Sequence, residues 1–266
     1  MNDVGVAILG TGPSAAYAAM ACNDASVSYD IISNRSPVMH FPGAFWPRLN
    51  LAGAPIPKVE VKIYSVGTAE GYLRKQWGEV SPEWLKETSF PIKARTELAY
   101  NPYELFRPFW ATKNIHLVEG LSDEAIADIA KEYAIVFMTF ATQKSREAMK
   151  PYSIRYPIAS YKYSTTNHHY CIYNGEEPNH IVRMSSLFGY IHLEYSKDYI
   201  PKTELVGDGQ ITWVPDTLPD TPEWDLADVP AKNVFLIGRY AQWKRKVLSH
   251  DAYAEVQSIL VEALDA

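Results

Sequence analysis

Residues 4–22 read VGVAILGTGPSAAYAAMAC, and this stretch decides the fold class. Val4–Leu9 is a short apolar run that ends in Gly-Thr-Gly-Pro, the pattern of a buried strand entering a tight turn. Ser14–Cys22 is rich in alanine and free of breakers, which predicts a helix. Val27–Ser33 (VSYDIIS) follows as a second strand. A strand, a glycine turn, a helix and a strand within about 30 residues make the βαβ unit of a nucleotide-binding fold.

The turn itself, Gly10-Thr11-Gly12-Pro13-Ser14-Ala15, has the spacing GxGxxA. Gly10 permits the sharp turn, Gly12 lets backbone approach a pyrophosphate, and Ala15 stands where a third glycine commonly packs helix on sheet. The first helical turn, opened by Pro13 and Ser14, offers N–H groups and the positive end of the helix dipole to phosphate. Gly10, Gly12, Pro13, Ser14 and Ala15 are therefore candidate cofactor-binding residues, against the plainer alternative of a structural tight turn. An acidic residue often follows the second strand and holds a ribose. Here Ser33, Asn34 and Arg35 occupy that place; Asn34 suits a ribose and Arg35 a phosphate.

Composition sets the outer bounds. The chain has 266 residues, 47% hydrophobic and 21% charged, with 18 Tyr and 7 Trp. This is an ordinary globular balance with an aromatic excess that suits either a core or a pocket for a flat ligand. A net charge of -6 argues against nucleic-acid or membrane binding by the surface as a whole. Two distant cysteines, Cys22 and Cys171, fit a reducing compartment rather than a disulfide framework. With no basic leader and no apolar run of roughly 18 residues, the expectation is a soluble, cytoplasmic protein with no membrane partner.

Between the two ends the pattern changes. His40–Lys58 (HFPGAFWPRLNLAGAPIPK) is a long loop dense in Pro, Gly and aromatics, of the kind that carries function. Val59–Tyr64 alternates like a strand, Thr68–Gln76 and Ser81–Lys86 look helical, and Asn101–Trp110 is aromatic and punctuated by proline. Leu121–Glu132 is a helix with a start signal at Ser122, and Ala134–Phe140 is a buried strand returning to the nucleotide domain. Ser160–Glu194 alternates and is rich in tyrosine, which predicts an antiparallel sheet. Asp216–Pro230 is an acidic, proline-rich connection, Asn233–Ile237 a last buried strand, and Asp251–Leu264 a closing helix with Ser249 or His250 at its N-cap.

The C-terminal stretch Asn233-Val-Phe-Leu-Ile-Gly238-Arg239-Tyr240, then Leu248-Ser-His-Asp-Ala-Tyr253, places a strand, a glycine, a phosphate-neutralising side chain and a helix start in succession. Together with the GTGPSA turn it resembles the glutathione-reductase-type flavoproteins, and more narrowly their UDP-galactopyranose mutase and amine oxidase branch. The resemblance implies FAD as cofactor, with Gly238, Arg239, Ser249, His250 and Asp251 joining the glycine turn, Asn34 and Arg35 around it. It also likens Tyr170–Glu194, with Tyr173, Asn174, Arg183 and Glu194, to the substrate region of the mutases. The implied fold is α/β. A Rossmann-type FAD-binding domain (parallel sheet with helices) spans 1–58, 111–150 and 228–266, and an inserted antiparallel-sheet substrate region spans 59–110 and 151–227.

Arg48 in the Pro-Gly loop is a candidate to line the flavin or substrate pocket, and Arg48, Tyr173, Arg183 and Trp243 are the candidate catalytic residues. Tyr103, Arg107 and Trp110 are weaker ones. The expected function is an FAD-dependent oxidoreductase acting on an amine-type C–N bond of a small or nucleotide-linked substrate. Three alternatives stand beside it: a mutase-like, redox-neutral flavoenzyme, a flavin-dependent lyase trimming an amino acid from a modified thymine base in DNA, and a non-catalytic nucleotide-binding protein. Trp243-Lys-Arg-Lys246 is either a solvated turn or a local contact for a phosphate-bearing substrate or nucleic acid. His168, His169 and Cys171 make no metal site, since only the last two share a strand face. No Gly-x-Ser-x-Gly elbow or Walker A loop is present, which disfavours hydrolase and NTPase chemistry.

Overall fold

A computed structural model describes residues 5–36, 58–100, 104–106, 115–150, 153–162, 168–197, 199, 201, 210–217, 229–242, 247 and 250–264. In chain order the elements are β1 (Val6–Leu9), α1 (Pro13–Asp24), β2 (Tyr29–Ser33), β3 (Lys58–Gly67), α2 (Ala69–Trp77), α3 (Pro82–Glu87), β4 (Arg95–Tyr100) and β5 (Ile115–Leu117). They continue with α4 (Asp123–Glu132), β6 (Ile135–Met138), α5 (Gln143–Met149), β7 (Ser153–Lys162), β8 (His169–Gly175), β9 (Ile181–Leu187) and β10 (Tyr190–Tyr195). The last are β11 (Gln210–Thr217), β12 (Val234–Leu236), α6 (Arg239–Gln242) and α7 (Asp251–Leu264). The chain divides into two compact units. Met1–Met39, Phe106–Pro151 and Thr221–Ala266 form the first, and His40–Leu105 with Tyr152–Asp220 form the second.

The first unit is a parallel sheet in the order β12-β6-β1-β2-β5. The steps β1 to β2 and β5 to β6 run in opposite directions across it, so right-handed crossovers put α1 and α4 on opposite faces. One face buries Ala7, Leu9, Val136, Met138 and Val234 against Ile126 and Ala130 of α4. On the other, α1 is buried along Ser14–Ala19, Ala21 and Cys22, and its small side chains let both sheet and α7 approach closely. Ser122 caps α4 by accepting the Ala125 N–H at 3.2 Å. Asn233 Nδ2 donates to the Ala130 and Tyr133 carbonyls at 2.8 Å each, which satisfies helix-end oxygens left without partners. The Cys22 thiol is pushed up to about 12 by burial, so it is inert packing.

Two tyrosines tie this unit together from its surface. Tyr133 donates to Asp30 Oδ2 at 2.8 Å and Tyr253 to Asp24 Oδ2 at 2.5 Å, and burial pushes both phenols up to about 12. The folded values lie above the free value of about 10, so this contribution is complete below pH 10 and is lost between about 10 and 12. We expect the urea midpoint to fall steeply over that interval, and a Tyr133→Phe/Tyr253→Phe variant to fall less. Equal slopes in the two proteins would refute the assignment.

The second unit is a seven-stranded sheet, β11-β7-β10-β9-β8-β3-β4. Its ladders are antiparallel except β3 with β8, which run parallel from Val61↔His169 to Gly67↔Gly175. One seam departs from this antiparallel pattern: more than 100 residues lie between its two strands, which leaves room for the long crossover that a parallel pair needs. Helix α2 packs on β8 and β9. Lys75 holds it there, donating to the carbonyls of Glu176 (2.7 Å) and Ile181 (2.9 Å) and to Asn179 Oδ1 (3.2 Å). Among the described residues no helix is long and apolar enough to cross a membrane.

Candidate dinucleotide site

The three glycines singled out by sequence occupy three different environments. Gly10 has φ +108°, and a Cβ there would run into Thr139 Oγ1. That hydroxyl donates to the Leu9 carbonyl at 2.7 Å, locking the ends of β1 and β6 side by side. Gly238 has φ +74°, and its Cβ would fall on the Ser14 side chain, 2.7 Å from Ser14 Cβ and closer still to Oγ. Both positions demand glycine for conformation and for packing.

Gly12 demands it for neither reason. Its φ of -85° and ψ of -178° are extended, open to any residue, and no described atom lies within 4 Å of the place a Cβ would take. Among the described residues the space over Gly12 is therefore clear at the N-terminus of α1. That helix has no side-chain cap and no acidic residue in its first turn. Beside it Ser14 is 3% exposed, and its Oγ finds no hydrogen-bond partner among the described residues. A buried hydroxyl without a partner is costly unless a ligand satisfies it. An uncapped helix start, a bare backbone and an unsatisfied hydroxyl are together the donor set of an anion site, and they fit a dinucleotide pyrophosphate.

Gly238 brings the late part of the chain to this point. Its N–H donates to Glu255 Oε2 at 2.9 Å, and Gln242 Nε2 donates to Glu255 Oε1 at 2.7 Å. The α7 carboxylate thus holds the turn that places Gly238 on Ser14, with Arg239 starting α6 next to it. Ala15 is fully buried, as the third position of the motif requires. His250 is buried with its ring edge-on to Tyr17, centroids 6.3 Å apart, and Asp251 opens α7.

At the end of β2, Ser33 turns inward. Its Oγ accepts the Arg35 N–H at 3.1 Å, donates to the Arg35 carbonyl at 2.9 Å and meets Thr11 Oγ1 at 3.3 Å. This closes the strand end onto the glycine turn and leaves Asn34 and Arg35 exposed. Thr11, Thr139 and Glu255 escaped the motif analysis. The hydroxyl directly after the buried strand β6 was the only available signal for Thr139, and nothing marked Glu255.

In the second unit, register sets Tyr173 opposite Arg183 and Arg183 opposite Glu194. Arg183 Nη2 pairs with Glu194 Oε2 at 2.6 Å, and the guanidinium stands 5.8 Å from the Tyr173 ring centroid. The carboxylate holds Arg183 well above its ordinary range, and burial raises the Tyr173 phenol. Tyr72 of α2 packs on Tyr173 with centroids 6.1 Å apart, so the helix roofs this row. The next row on the same face was not foreseen: Ser185, His192 and Ser160 lie level, with Ser160 Oγ 2.8 Å from His192 Nδ1. All three are buried. Their period-two phasing with Arg183 and Glu194 was the signal that could have found them. Burial raises the Cys171 thiol and lowers His169. Among the described residues no three His, Cys, Asp or Glu side chains gather as a metal site. Arg48, Trp243, Ser249 and the basic residues 244–246 lie outside the described residues, as do Tyr103, Arg107 and Trp110.

Comparison of the whole chain with solved structures finds UDP-galactopyranose mutase in its reduced form, with a TM-score of 0.57 at 10% identity, covering 98% of this chain and 95% of that one. The fold is that of the Rossmann-type flavoproteins. A geranylgeranyl bacteriochlorophyll reductase-like protein from Thermoplasma acidophilum matches with a TM-score of 0.51 at 11% identity over 98% of this chain and 78% of its own. The peptidyl tryptophan dihydroxylase QhpG gives 0.51 at 11% identity over 97% of this chain. The chain spans only 65% of that enzyme's length. No protein-family model matches the sequence, and no curated protein matches it.

Proposed function

We propose that this chain binds FAD at the glycine turn and works as an FAD-dependent oxidoreductase on an amine-type C–N bond of a small or nucleotide-linked substrate. The observation that carries the cofactor is the contrast among the glycines: Gly10 and Gly238 are filled against protein, Gly12 faces clear space, and Ser14 Oγ is buried beside it unsatisfied. The N–H groups of Ser14 and Ala15 and the Ser14 hydroxyl would hold the pyrophosphate, with Arg239 supplying counter-charge. Asn34 and Arg35 would meet the adenosine end. When bound, the flavin supplies a two-electron acceptor for a C–H bond adjacent to nitrogen. The protein's share is to orient that bond, exclude water and manage a proton. A mutase-like reading would ask Arg183 to meet a diphosphate. Its pairing with Glu194 counts against that and leaves the amine reading ahead.

The test is the absorption spectrum of the purified protein, before and after heat release. Bands near ~370 and ~450 nm with FAD in the supernatant are expected. A colourless protein that refuses added FAD would sink the proposal. Ser14→Ala sharpens it: loss of one hydrogen bond to a charged phosphate is expected to weaken FAD about 10- to 100-fold. The same substitution leaves the ligand-free protein as stable or more so, because it removes a buried group with no partner.

A further inference from the structure

The end of β2 is built for a charge that FAD does not carry. In this fold the segment after the second strand often supplies a carboxylate, which accepts from the hydroxyls of the adenosine ribose and repels a phosphate placed on it. Residues 33–36 of this chain are Ser-Asn-Arg-Ser, with no acid among them. Ser33 does not stand in for one. It is 2% exposed, and its Oγ is taken up by the Arg35 N–H and carbonyl and by Thr11 Oγ1. Thr11 Oγ1 also donates to the Arg35 carbonyl at 3.4 Å, so the turn after β2 is fastened to the glycine turn itself. The Gly10 N–H donates to the Ile32 carbonyl at 2.9 Å and closes the seam from the strand side. Among the described residues every bond that Arg35 makes is through its backbone, and the residue is exposed. A pinned backbone thus presents a cation that meets no carboxylate among the described residues. It stands one strand spacing, about 4.8 Å, from the strand that leads into Gly12 and Ser14.

We infer that this site admits a dinucleotide whose adenosine ribose bears a phosphate, so that NADP(H) competes with FAD for the glycine turn. This rests on the reading that Gly12 and Ser14 hold a dinucleotide pyrophosphate, and adds a selectivity at the adenosine end. A phosphate monoester on the ribose brings close to two negative charges and three acceptor oxygens. An arginine fork meets such a group in bidentate fashion, where a carboxylate would exclude it. Asn34 and Ser36, both exposed beside Arg35, offer an amide and a hydroxyl to the same group. NAD(H) lacks that phosphate and finds neither an acid for its ribose nor a partner for Arg35. Competition at this turn makes the supply of NADP(H) a control on how much FAD the chain takes up.

The measurement is calorimetric titration of the full chain, freed of nucleotide, with NADP⁺, NAD⁺ and FAD. NADP⁺ is expected to bind about 10- to 100-fold more tightly than NAD⁺, the range of one charge-assisted contact. Prior saturation with NADP⁺ should block FAD uptake. Arg35→Ala should bring the ratio near one, and Arg35→Asp should turn it in favour of NAD⁺. The altered side chain is exposed and the turn is held through backbone, so an unchanged urea midpoint serves as the folding control. Gly12→Ala should weaken NADP⁺ and FAD together. Raising salt from about 0.05 to 0.5 M should shrink the preference several-fold, because the contact is at the surface. A ratio near one in the unaltered chain, a preference that Arg35→Asp leaves in place, or NADP⁺ that binds without displacing FAD overturns the inference. FAD uptake with a ratio near one does so and leaves the FAD reading standing. NADP⁺ selectivity without FAD uptake keeps the ribose-phosphate site and overturns the FAD reading, and a chain that takes up neither loses both.

Discussion

Replacing Gly238 with valine is expected to cost the first unit about 3–5 kcal/mol. Roughly 1–2 kcal/mol comes from forcing a β-carbon into the left-handed region and the rest from driving it into Ser14. The same displacement pushes the strand end away from the start of α1, so FAD uptake should disappear along with the stability. Gly12→Ala is the informative partner. Gly12 is extended and has nothing near its missing side chain, so its stability should change by less than about 0.5 kcal/mol while cofactor affinity falls steeply. Denaturant unfolding of the ligand-free proteins, with FAD titration alongside, separates the two. Should Gly12→Ala prove as destabilising as Gly238→Val, the space over Gly12 is not kept for a ligand.

The second large effect is expected in the other unit. Arg183→Met strips Glu194 of its partner on a face that α2 covers, leaving a carboxylate whose side chain is 15% exposed. Breaking a fully buried pair costs about 3–5 kcal/mol; with Arg183 itself 30% exposed, about 2–3 kcal/mol is the appropriate expectation. Arg183→Met/Glu194→Leu should recover most of it, because the pair as a whole is worth far less than an orphaned charge. A single-variant cost below 0.5 kcal/mol would show the pair to behave as a surface contact.

What the sequence could reveal follows from how each element is held. β1, α1 and β2 are local, and the glycine spacing, the alanine-rich helix and the apolar runs all state the same structure. α7 was legible to the residue. β5, three residues long, has no periodicity to offer and exists because it pairs with β2. β11, most of which precedes the connection read over Asp216–Pro230, carries Pro215 near its end, which an edge strand tolerates without losing a ladder bond. β4 (RTELAY) puts Leu98 and Glu97 on opposite faces, so it shows no clean alternation. α5 (QKSREAM) is polar up to its closing Ala148-Met149 and announced only by the Thr142 cap.

The candidate site divides in the same manner. The glycines and Ser14 were readable because their chemistry is local. Ser33 stood with Asn34 and Arg35 at the place where a ribose-binding acid often follows the strand, and it is spent on the Arg35 backbone, a choice made by a turn three residues long. The Ser160–His192–Ser185 row depends on register between three strands, and so does the meeting of Arg183 with Glu194. Register over such distances is set by the whole sheet rather than by any window of it.

The Glu255 clamp on Gly238 has a consequence for how the protein is made. Gly10 and Gly238 are separated by 228 positions (238 − 10), which at about 5–20 residues per second is roughly 10–45 s of synthesis. For all of that interval the glycine turn has left the ribosome without the strand, the turn and the helix that complete it. Loading of the proposed cofactor would therefore be a late step in the birth of each molecule.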